Sequence, residues 1–162
     1  MRNVSFGEAI GLGFRNYANF KGRAQRAEFW WWVLFTFLGN FALTLVDAAM
    51  ASAGVPLAIL SSLFSLGTLV PNLSVAARRL HDIGRSGWWQ IMPYGVALLS
   101  IILVVALGSA GEGAGAFGVL LGVAATIAAS IVLLVWYARD SDRGTNRFGP
   151  SPKYGSEMAV FD

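Results

Sequence analysis

Four apolar runs, each long enough to cross a lipid bilayer, constrain this chain more than any other feature. They cover residues 29–46, 55–77, 88–107 and 117–138. A helix of about 20 apolar residues crosses the hydrocarbon core of a bilayer, because each residue adds about 1.5 Å to its length. Only 13 % of the residues are charged, whereas soluble proteins are about 25 % charged. The sequence therefore predicts an all-α membrane protein, an up-down bundle of four transmembrane helices.

Polar segments precede and follow these runs. The predicted organisation is a cytoplasmic interfacial segment over 1–28, a four-helix transmembrane domain over 29–138 and a cytoplasmic tail over 139–162. In the first segment, Phe6, Ile10 and Phe14 recur about one helical turn apart, which is typical of one face of a helix. We expect this helix to lie in the membrane interface or, alternatively, to cap the bundle.

The basic residues are confined to three parts of the chain. The N-terminal segment carries Arg2, Arg15, Lys21, Arg23 and Arg26, the central stretch Arg78, Arg79 and Arg85, and the tail Arg139, Arg143, Arg147 and Lys153. The two other connections, at 48–54 and 108–116, contain no Lys or Arg. Because short cytoplasmic loops carry an excess of Lys and Arg, we expect both termini and the central stretch in the cytoplasm. An even number of spans satisfies this arrangement.

The central stretch, RRLHDIGRSGWW over 78–89, separates two apolar runs and therefore predicts a surface loop. Its charged and titratable residues are Arg78, Arg79, His81, Asp82 and Arg85. Arginine forms bidentate hydrogen bonds with phosphate groups, so one interpretation is a site for an anionic lipid headgroup or a small phosphate. A second is a structural loop whose charges pair with one another and with Glu28 or the tail. A third is catalysis, with His81 as general base.

Other kinds of site are not indicated. The sequence has no cysteine and one histidine, which leaves few ligands for a transition metal. Its glycine pairs fit no dinucleotide or phosphate-loop motif. We therefore expect no metal and no cofactor. Membrane topology already explains the twelve Lys and Arg residues, so nucleic acid is not an expected partner.

Small and polar residues inside the apolar runs indicate how the helices pack. Gly118, Gly122, Thr126 and Ser130 recur every four residues in the fourth run. Such a row favours close contact between helices, either as a seam inside the bundle or as a homodimer face. A small channel or uncoupled transporter is a further alternative. Its candidate pore residues are Asn40, Ser65, Thr68 and Asn72.

Three motifs, in this order, resemble a known family. They are FKGRAQRAEFWWW at 20–32, RRLHDIGRSGWW at 78–89 and GTNRFGPSP at 144–152. Over about residues 14–152 the chain is similar to the YhaH-type small bacterial inner-membrane proteins of unknown function, the DUF805 family. The resemblance implies a multi-span helical fold in the bacterial cytoplasmic membrane, and it implies no catalytic residue because the family has no established activity. It also groups Gly22, Arg23, Arg26, Glu28, Arg79, His81, Asp82, Gly84, Arg85, Asn146, Gly149 and Pro150 as residues that act together.

The leading functional hypothesis is a non-enzymatic membrane protein with a basic cytoplasmic cap. We expect the cap to bind an anionic lipid of the surrounding bilayer, a protein partner or a second copy of the chain. The candidate binding residues are Arg23, Arg26, Glu28, Arg78, Arg79, His81, Asp82, Arg85 and Asn146. One alternative is a membrane enzyme that acts on a lipid headgroup, with His81 as base and Asp82 or Glu28 orienting it. The other is the channel or uncoupled transporter.

Overall fold

The computed structural model describes residues 3–54, 58–108 and 111–155, without the side chain of Glu112. The described residues form five α-helices: α1 (Phe6–Arg15), α2 (Arg26–Ser52), α3 (Ile59–Asp82), α4 (Met92–Gly108) and α5 (Glu112–Ala138). A short 3-10 helix, Gly87–Ile91, precedes α4. No β-strand occurs in these ranges, where an isolated bridge joins Asn146 and Gly149. The predicted all-α fold is confirmed.

Within the described residues, four helices are long and apolar enough to cross a membrane. They are Arg26–Ser52, Ile59–Asp82, Gly87–Gly108 and Gly113–Ala138. Their outer surfaces carry apolar side chains that no other part of the described chain covers, such as Leu66, Leu99 and Val105. The acyl chains of a bilayer solvate such surfaces, whereas an apolar patch of this size would promote aggregation in water. Length and composition thus confirm the prediction of four candidate membrane-spanning helices.

The long helices pack mainly as two neighbouring pairs, α2 with α3 and α4 with α5. α1 lies against α2, where the rings of Phe14 and Trp32 meet edge to face at 5.2 Å. Buried apolar residues gather at one end of the long helices. They are Phe29, Trp32, Val75, Leu80, Ile83 and Tyr137. This core lies where α2 begins and where α3 and α5 end, beside the polar segments of the chain.

Two helices continue into segments that the apolar runs assign to connections. α2 extends through Ala48–Ser52, because alanine and methionine favour helical backbone even where hydropathy falls. α5 begins at Glu112, inside the glycine-rich connection predicted over 108–116. Hydropathy predicts which residues lie in the apolar part of the bilayer. A helix can continue beyond these residues, because its backbone hydrogen bonds do not depend on hydropathy.

The largest correction concerns the central stretch. The surface loop predicted over 78–89 is wrong for Arg78–Asp82, which form the end of α3, with Arg79 and Asp82 fully buried. The helix continues there because these charged side chains find partners inside the protein. Gly84, with a φ of +71°, then turns the chain away from the helix axis. Gly87 packs so closely on α3 that a Cβ there would lie 2.7 Å from a side-chain atom of that helix.

Asp47 is a charged residue of the apolar helix α2, and its carboxylate contacts the start of α3. Its carboxylate accepts hydrogen bonds from the backbone amides of Leu60 and Ser61 at 3.2 and 2.9 Å. The N-cap residue of α3, Ala58, makes no side-chain capping bond. Asp47 on α2 therefore supplies the cap of α3 from the neighbouring helix.

The row of small residues on α5 lies against α4. A Cβ at Gly122 would lie 2.7 Å from the Cβ of Ser100, and one at Gly118 would lie 3.1 Å from Leu107. These distances leave no room for a side chain, so glycine allows the two backbones to approach closely. The row is thus a packing seam inside the chain, the first of the two predicted alternatives.

Gly122→Ala is expected to destabilise the protein by about 1–3 kcal/mol, because α4 and α5 must separate to admit the methyl group. Gly95→Ala is the matched control, since no described atom beyond its chain neighbours and the nearby backbone of its own helix lies within 4 Å of its Cβ position. Alanine stabilises a helix by up to about 1 kcal/mol relative to glycine, so the control should be neutral or stabilising. Reversible unfolding in mixed micelles, followed by circular dichroism, measures both. Equal stabilities would contradict the close contact.

Candidate functional site

Three segments meet at one end of the long helices, and we call them the polar cap. They are residues 16–28, 78–91 and 139–155. Backbone hydrogen bonds join them, from Ala24 N–H to the carbonyl of Arg78 at 3.0 Å and from Asp142 N–H to the carbonyl of Asp82 at 3.2 Å. The segments that carry the three sequence motifs are therefore neighbours in space.

Arg23 links the three segments through its guanidinium group. Its Nε donates to Oδ1 of Asp82 at 2.9 Å. Its Nη1 donates to the carbonyl oxygens of Gly144 and Gly149 at 2.7 and 3.1 Å. Its Nη2 donates to the carbonyl oxygens of Asp82 and Asp142 at 3.1 and 2.6 Å. One arginine before α2 thus binds both the end of α3 and the tail.

Asp82 is an acceptor shared by two arginines. Its Oδ2 lies 2.6 Å from Nη1 of Arg79, and both of these side chains are fully buried. Arg79 also donates from Nε to the carbonyl of Tyr137 at 3.0 Å and from Nη2 to the carbonyl of Arg139. Buried charges are tolerated only when they are paired and hydrogen-bonded. These contacts meet that condition and fix the end of α5 against the end of α3.

Glu28 and Arg78 form a second buried ion pair next to this network. Oε1 of Glu28 lies 2.7 Å from Nη1 of Arg78. The two side chains are only 6 % and 5 % exposed. Glu28 therefore pairs with the central stretch, as the structural interpretation of the sequence proposes.

His81 packs between the first and third motifs. Its Nδ1 lies 3.1 Å from the carbonyl oxygen of Gly22, which favours the tautomer that carries the proton on Nδ1. Its ring stacks on Phe148 with 3.8 Å between the ring centroids. Nδ2 of Asn146 donates to the carbonyl of His81 at 2.9 Å. His81 is therefore held by backbone and aromatic contacts.

Arg85 and Arg26 lie at the edge of the cap. The guanidinium of Arg85 lies 3.8 Å from the ring centre of Trp136, a cation–π contact. Arg26 is exposed and donates to the carbonyl of Ala138 at 3.5 Å, which is long for a hydrogen bond. The structure thus brings most of the candidate residues into contact and leaves Arg26 facing outwards.

Several residues of the cap and of the adjoining end of α5 were not predicted as site residues. They are Tyr137, Asp140, Phe148, Lys153 and Tyr154. Some of these residues contact partners that are far away in the sequence, and others contact tail residues that follow no periodic spacing. No local sequence pattern therefore indicates these five residues. Phe148 is the exception, because it lies within the third motif, at 144–152.

Asp140 and Lys153 form an ion pair within the tail. Nζ of Lys153 lies 2.7 and 2.9 Å from the two carboxylate oxygens, and the hydroxyl of Tyr154 donates to Oδ2 at 3.2 Å. The hydrogen bonds from Lys153 lower the pKa of Asp140 from its ordinary value to about 2. The same contact raises the pKa of Lys153. Because the Asp140 side chain is 51 % exposed, this pair contributes less to stability than the buried pairs.

The lowered pKa of Asp140 sets the pH at which this tail contact is lost. The folded pKa of about 2 lies below the ordinary value, which is about 3.9. The contact therefore contributes its full stability above pH ~4 and loses it as the pH falls towards 2. Carboxyl-labelled nuclear magnetic resonance in micelles should show Asp140 titrating near pH 2, and Lys153→Ala should raise that midpoint. An ordinary midpoint in the unchanged protein would contradict the ion pair.

Comparison with known proteins identifies relatives of this chain. The profile of the family described as "Protein of unknown function (DUF805)" matches residues 17–150. Inner membrane protein YhaI of Escherichia coli K12 is 32 % identical over 142 residues, which are 88 % of this chain and 92 % of YhaI. Inner membrane protein YhaH of the same strain is 30 % identical over 141 residues, 86 % of this chain and 91 % of YhaH. No solved structure gives a significant match.

A shorter match covers part of the chain. The uncharacterized protein YiiR of Escherichia coli K12 is 39 % identical over 75 residues, which are 46 % of this chain and 48 % of YiiR. The family match, by contrast, includes the first two motifs and ends within the third. The inner-membrane relatives cover most of the chain, and the four long apolar helices agree with a membrane location. The chain therefore belongs to the DUF805 family and is an integral inner-membrane protein of unknown function.

Proposed function

We propose that the protein binds an anionic phospholipid of the inner membrane without catalysing a reaction. We also propose that its polar cap and both termini lie in the cytoplasm, with the four spans alternating in direction. The twelve basic residues are confined to three polar segments, and the connections between the other helix ends carry none. The excess of Lys and Arg in cytoplasmic loops and the negative charge of the cytoplasmic leaflet support this orientation.

A groove along α2 carries the lipid proposal. It has a volume of about 610 Å³ and is lined by Arg26, Ala27, Trp30, Trp31, Val33, Leu34 and Phe37. Arg26 stands at its polar end, and the groove then continues along the apolar helix past the two indole rings. A phospholipid beside a helix presents a phosphate, an interfacial region and acyl chains in this order. A cation, tryptophans and apolar side chains match these three parts in turn.

Arg26 is an accessible arginine that also lines the groove, whereas Arg147 of the third motif is exposed but does not line it. Arg23 and Arg79 are buried against Asp82, and Arg85 lies over Trp136. Arg26 is exposed at the groove. Its positive charge complements the phosphate of an anionic lipid, whereas the apolar walls complement the acyl chains. We therefore assign the headgroup contact to Arg26 rather than to the buried arginines.

Lipid retention in native mass spectrometry tests this proposal. The protein released from bacterial membranes in a mild non-ionic detergent should carry phosphatidylglycerol. Arg26→Gln should reduce that adduct about fivefold, since one basic residue near an anionic surface contributes about 1 kcal/mol. Arg143→Gln is the matched control, because Arg143 is exposed in the tail and does not line the groove. Equal retention by Arg26→Gln and the unchanged protein would overturn the assignment.

The geometry gives less support to a headgroup enzyme. The carboxylate of Asp82 bonds to Arg23 and Arg79, and that of Glu28 bonds to Arg78. Nδ1 of His81 faces a backbone carbonyl. The predicted pairing of a histidine base with an orienting carboxylate is therefore not formed. Lipid turnover that disappears in His81→Ala would revive this alternative.

The channel alternative also has little support. Nδ2 of Asn40 donates to Oγ of Ser65, and Nε1 of Trp32 donates to Oδ1 of Asn72 at 2.7 Å. Thr68 is buried and bonds to a carbonyl of its own helix. These polar groups thus join α2 to α3 or form hydrogen bonds with the backbone.

A protein partner or a second copy of the chain would appear as an additional mass in the native mass spectra.

A further inference from the structure

A polar pocket lies on another side of the cap, between α1, the start of α2 and the end of α3. Its volume is about 300 Å³, roughly ten times the share of liquid volume that one water molecule occupies. Its polar lining residues are Asn16, Asn19, Lys21, Arg23, Gln25, Glu28 and Arg78. Pro152 of the tail also lines it. The pocket therefore lies among the three motifs, apart from the groove at Arg26.

Arg78 lines this pocket, and one edge of its guanidinium has no hydrogen-bond partner among the described residues. Its side chain is only 5 % exposed, and Nη1 bonds to Glu28. Its Nε and Nη2 are buried and have no hydrogen-bond partner within the described ranges. Buried polar groups normally have a partner, and a cationic one has a greater need of it. Nε and Nη2 lie on the same edge of a guanidinium, so they form a fork of two parallel donors.

The surroundings of this fork favour an anion. Two further cations, Lys21 and Arg23, also line the pocket. Arg23 is already paired with Asp82. Lys21 is exposed and therefore accessible to a ligand. The N-terminus of α2 lies at the same wall, and its N-cap residue, Gln25, makes no side-chain capping bond. Helix N-termini carry a partial positive charge that attracts anions. Glu28 is the opposing charge, and its Oε1 bonds to the other end of the Arg78 guanidinium.

We propose that this pocket binds a phosphate group, with Nε and Nη2 of Arg78 as a bidentate pair of donors and Lys21 as a second cation. The proposal does not depend on lipid binding at Arg26. The phosphate belongs either to a small soluble phosphate compound or to the headgroup of a phosphatidic-acid-like lipid, and the chemistry of recognition is the same for both. A phosphate in this pocket would complete the hydrogen bonding of Arg78 Nε and Nη2.

Binding of inorganic phosphate to the full chain in a non-ionic detergent tests this site. Phosphate should raise the melting temperature in a saturable way relative to chloride at equal ionic strength and pH 7. Arg78→Lys keeps the charge but removes the fork, so its affinity should fall about tenfold or more, as expected for a lost charge-assisted hydrogen bond. Lys21→Gln, a surface change that leaves the buried ion pairs in place, should also weaken binding. Arg143→Gln should bind like the unchanged protein.

Two further arms identify the source of the phosphate and separate this site from the groove. Competition by added phosphatidic acid in the micelle would assign the pocket to a lipid headgroup, and phosphate binding that this lipid leaves unchanged would assign it to a soluble compound. Arg26→Gln should retain less phosphatidylglycerol and keep its phosphate binding unchanged. The proposal is overturned if phosphate stabilises the unchanged protein no more than chloride does, or if Lys21→Gln and a folded Arg78→Lys bind it with unchanged affinity.

Discussion

Asp82→Asn is expected to destabilise the protein by about 3–5 kcal/mol, the largest effect of any single change in the polar cap. The substitution preserves the shape of the side chain but removes its charge. It leaves the guanidinium groups of Arg23 and Arg79 buried without a counter-ion, although both contact the Asp82 carboxylate in the structure. Unfolding by increasing fractions of a denaturing detergent, followed by tryptophan fluorescence, measures the change.

Asp140→Asn is the control for this experiment. Asp140 also pairs with a basic residue, but its side chain is 51 % exposed. Exposed ion pairs contribute little to stability, so this variant should remain close to the unchanged protein. If Asp82→Asn were no more harmful than Asp140→Asn, the buried network would not hold the cap together.

Arg23→Lys should release the tail while the membrane helices stay folded. Lysine keeps the positive charge and can still reach a carboxylate, but it lacks the planar fork of five donors. Arg23 uses that fork to bond to Asp82, Gly144, Gly149 and Asp142. We expect a loss of about 2–3 kcal/mol, since one or two charge-assisted hydrogen bonds to buried groups disappear. The end of α5 and the tail should loosen most.

Hydrogen exchange followed by mass spectrometry resolves this effect along the chain. Peptides from residues 139–155 should exchange faster in Arg23→Lys, whereas peptides from the middle of α2 and α3 should not change. Arg147→Gln is a suitable control, because Arg147 is exposed and its bond to the carbonyl of Gly84 is long, at 3.4 Å. Unchanged exchange of the tail in Arg23→Lys would show that other contacts hold it.

The spans of this fold can be predicted from the sequence because hydropathy is a local property. Each apolar run identifies a helix without knowledge of its neighbours, and the row at Gly118 and Gly122 identifies a packing face in the same way. The end of α3 is not predicted, because Arg78, Arg79 and Asp82 are charged and a polar stretch between two apolar runs favours a loop. Their helical, buried state depends on partners such as Arg23, which lies 59 positions away from Asp82.

The sequence indicates which residues of the three motifs come together, but it does not indicate what each of them does. The motifs correctly group Arg23, His81, Asp82 and Asn146, which meet in the cap. Sequence alone does not show which cations are consumed by internal pairing and which remain accessible. Only the three-dimensional contacts distinguish paired cations from accessible ones. From these contacts we propose Arg26 for the lipid headgroup and Arg78 for the phosphate.

A thiol crosslink between α3 and the tail tests the central claim most directly, namely that the three motifs form one polar cap. The chain contains no cysteine, so introduced cysteines react without background. His81→Cys with Phe148→Cys replaces two rings whose centroids are 3.8 Å apart, and Ser52→Cys with Phe148→Cys is the control at the opposite end of α2. A short bifunctional thiol reagent should crosslink the first pair in native membranes and leave the control uncrosslinked, as judged by the mass of the linked peptides. Failure of the first pair to crosslink, with both cysteines reactive, would contradict the assembly of the cap.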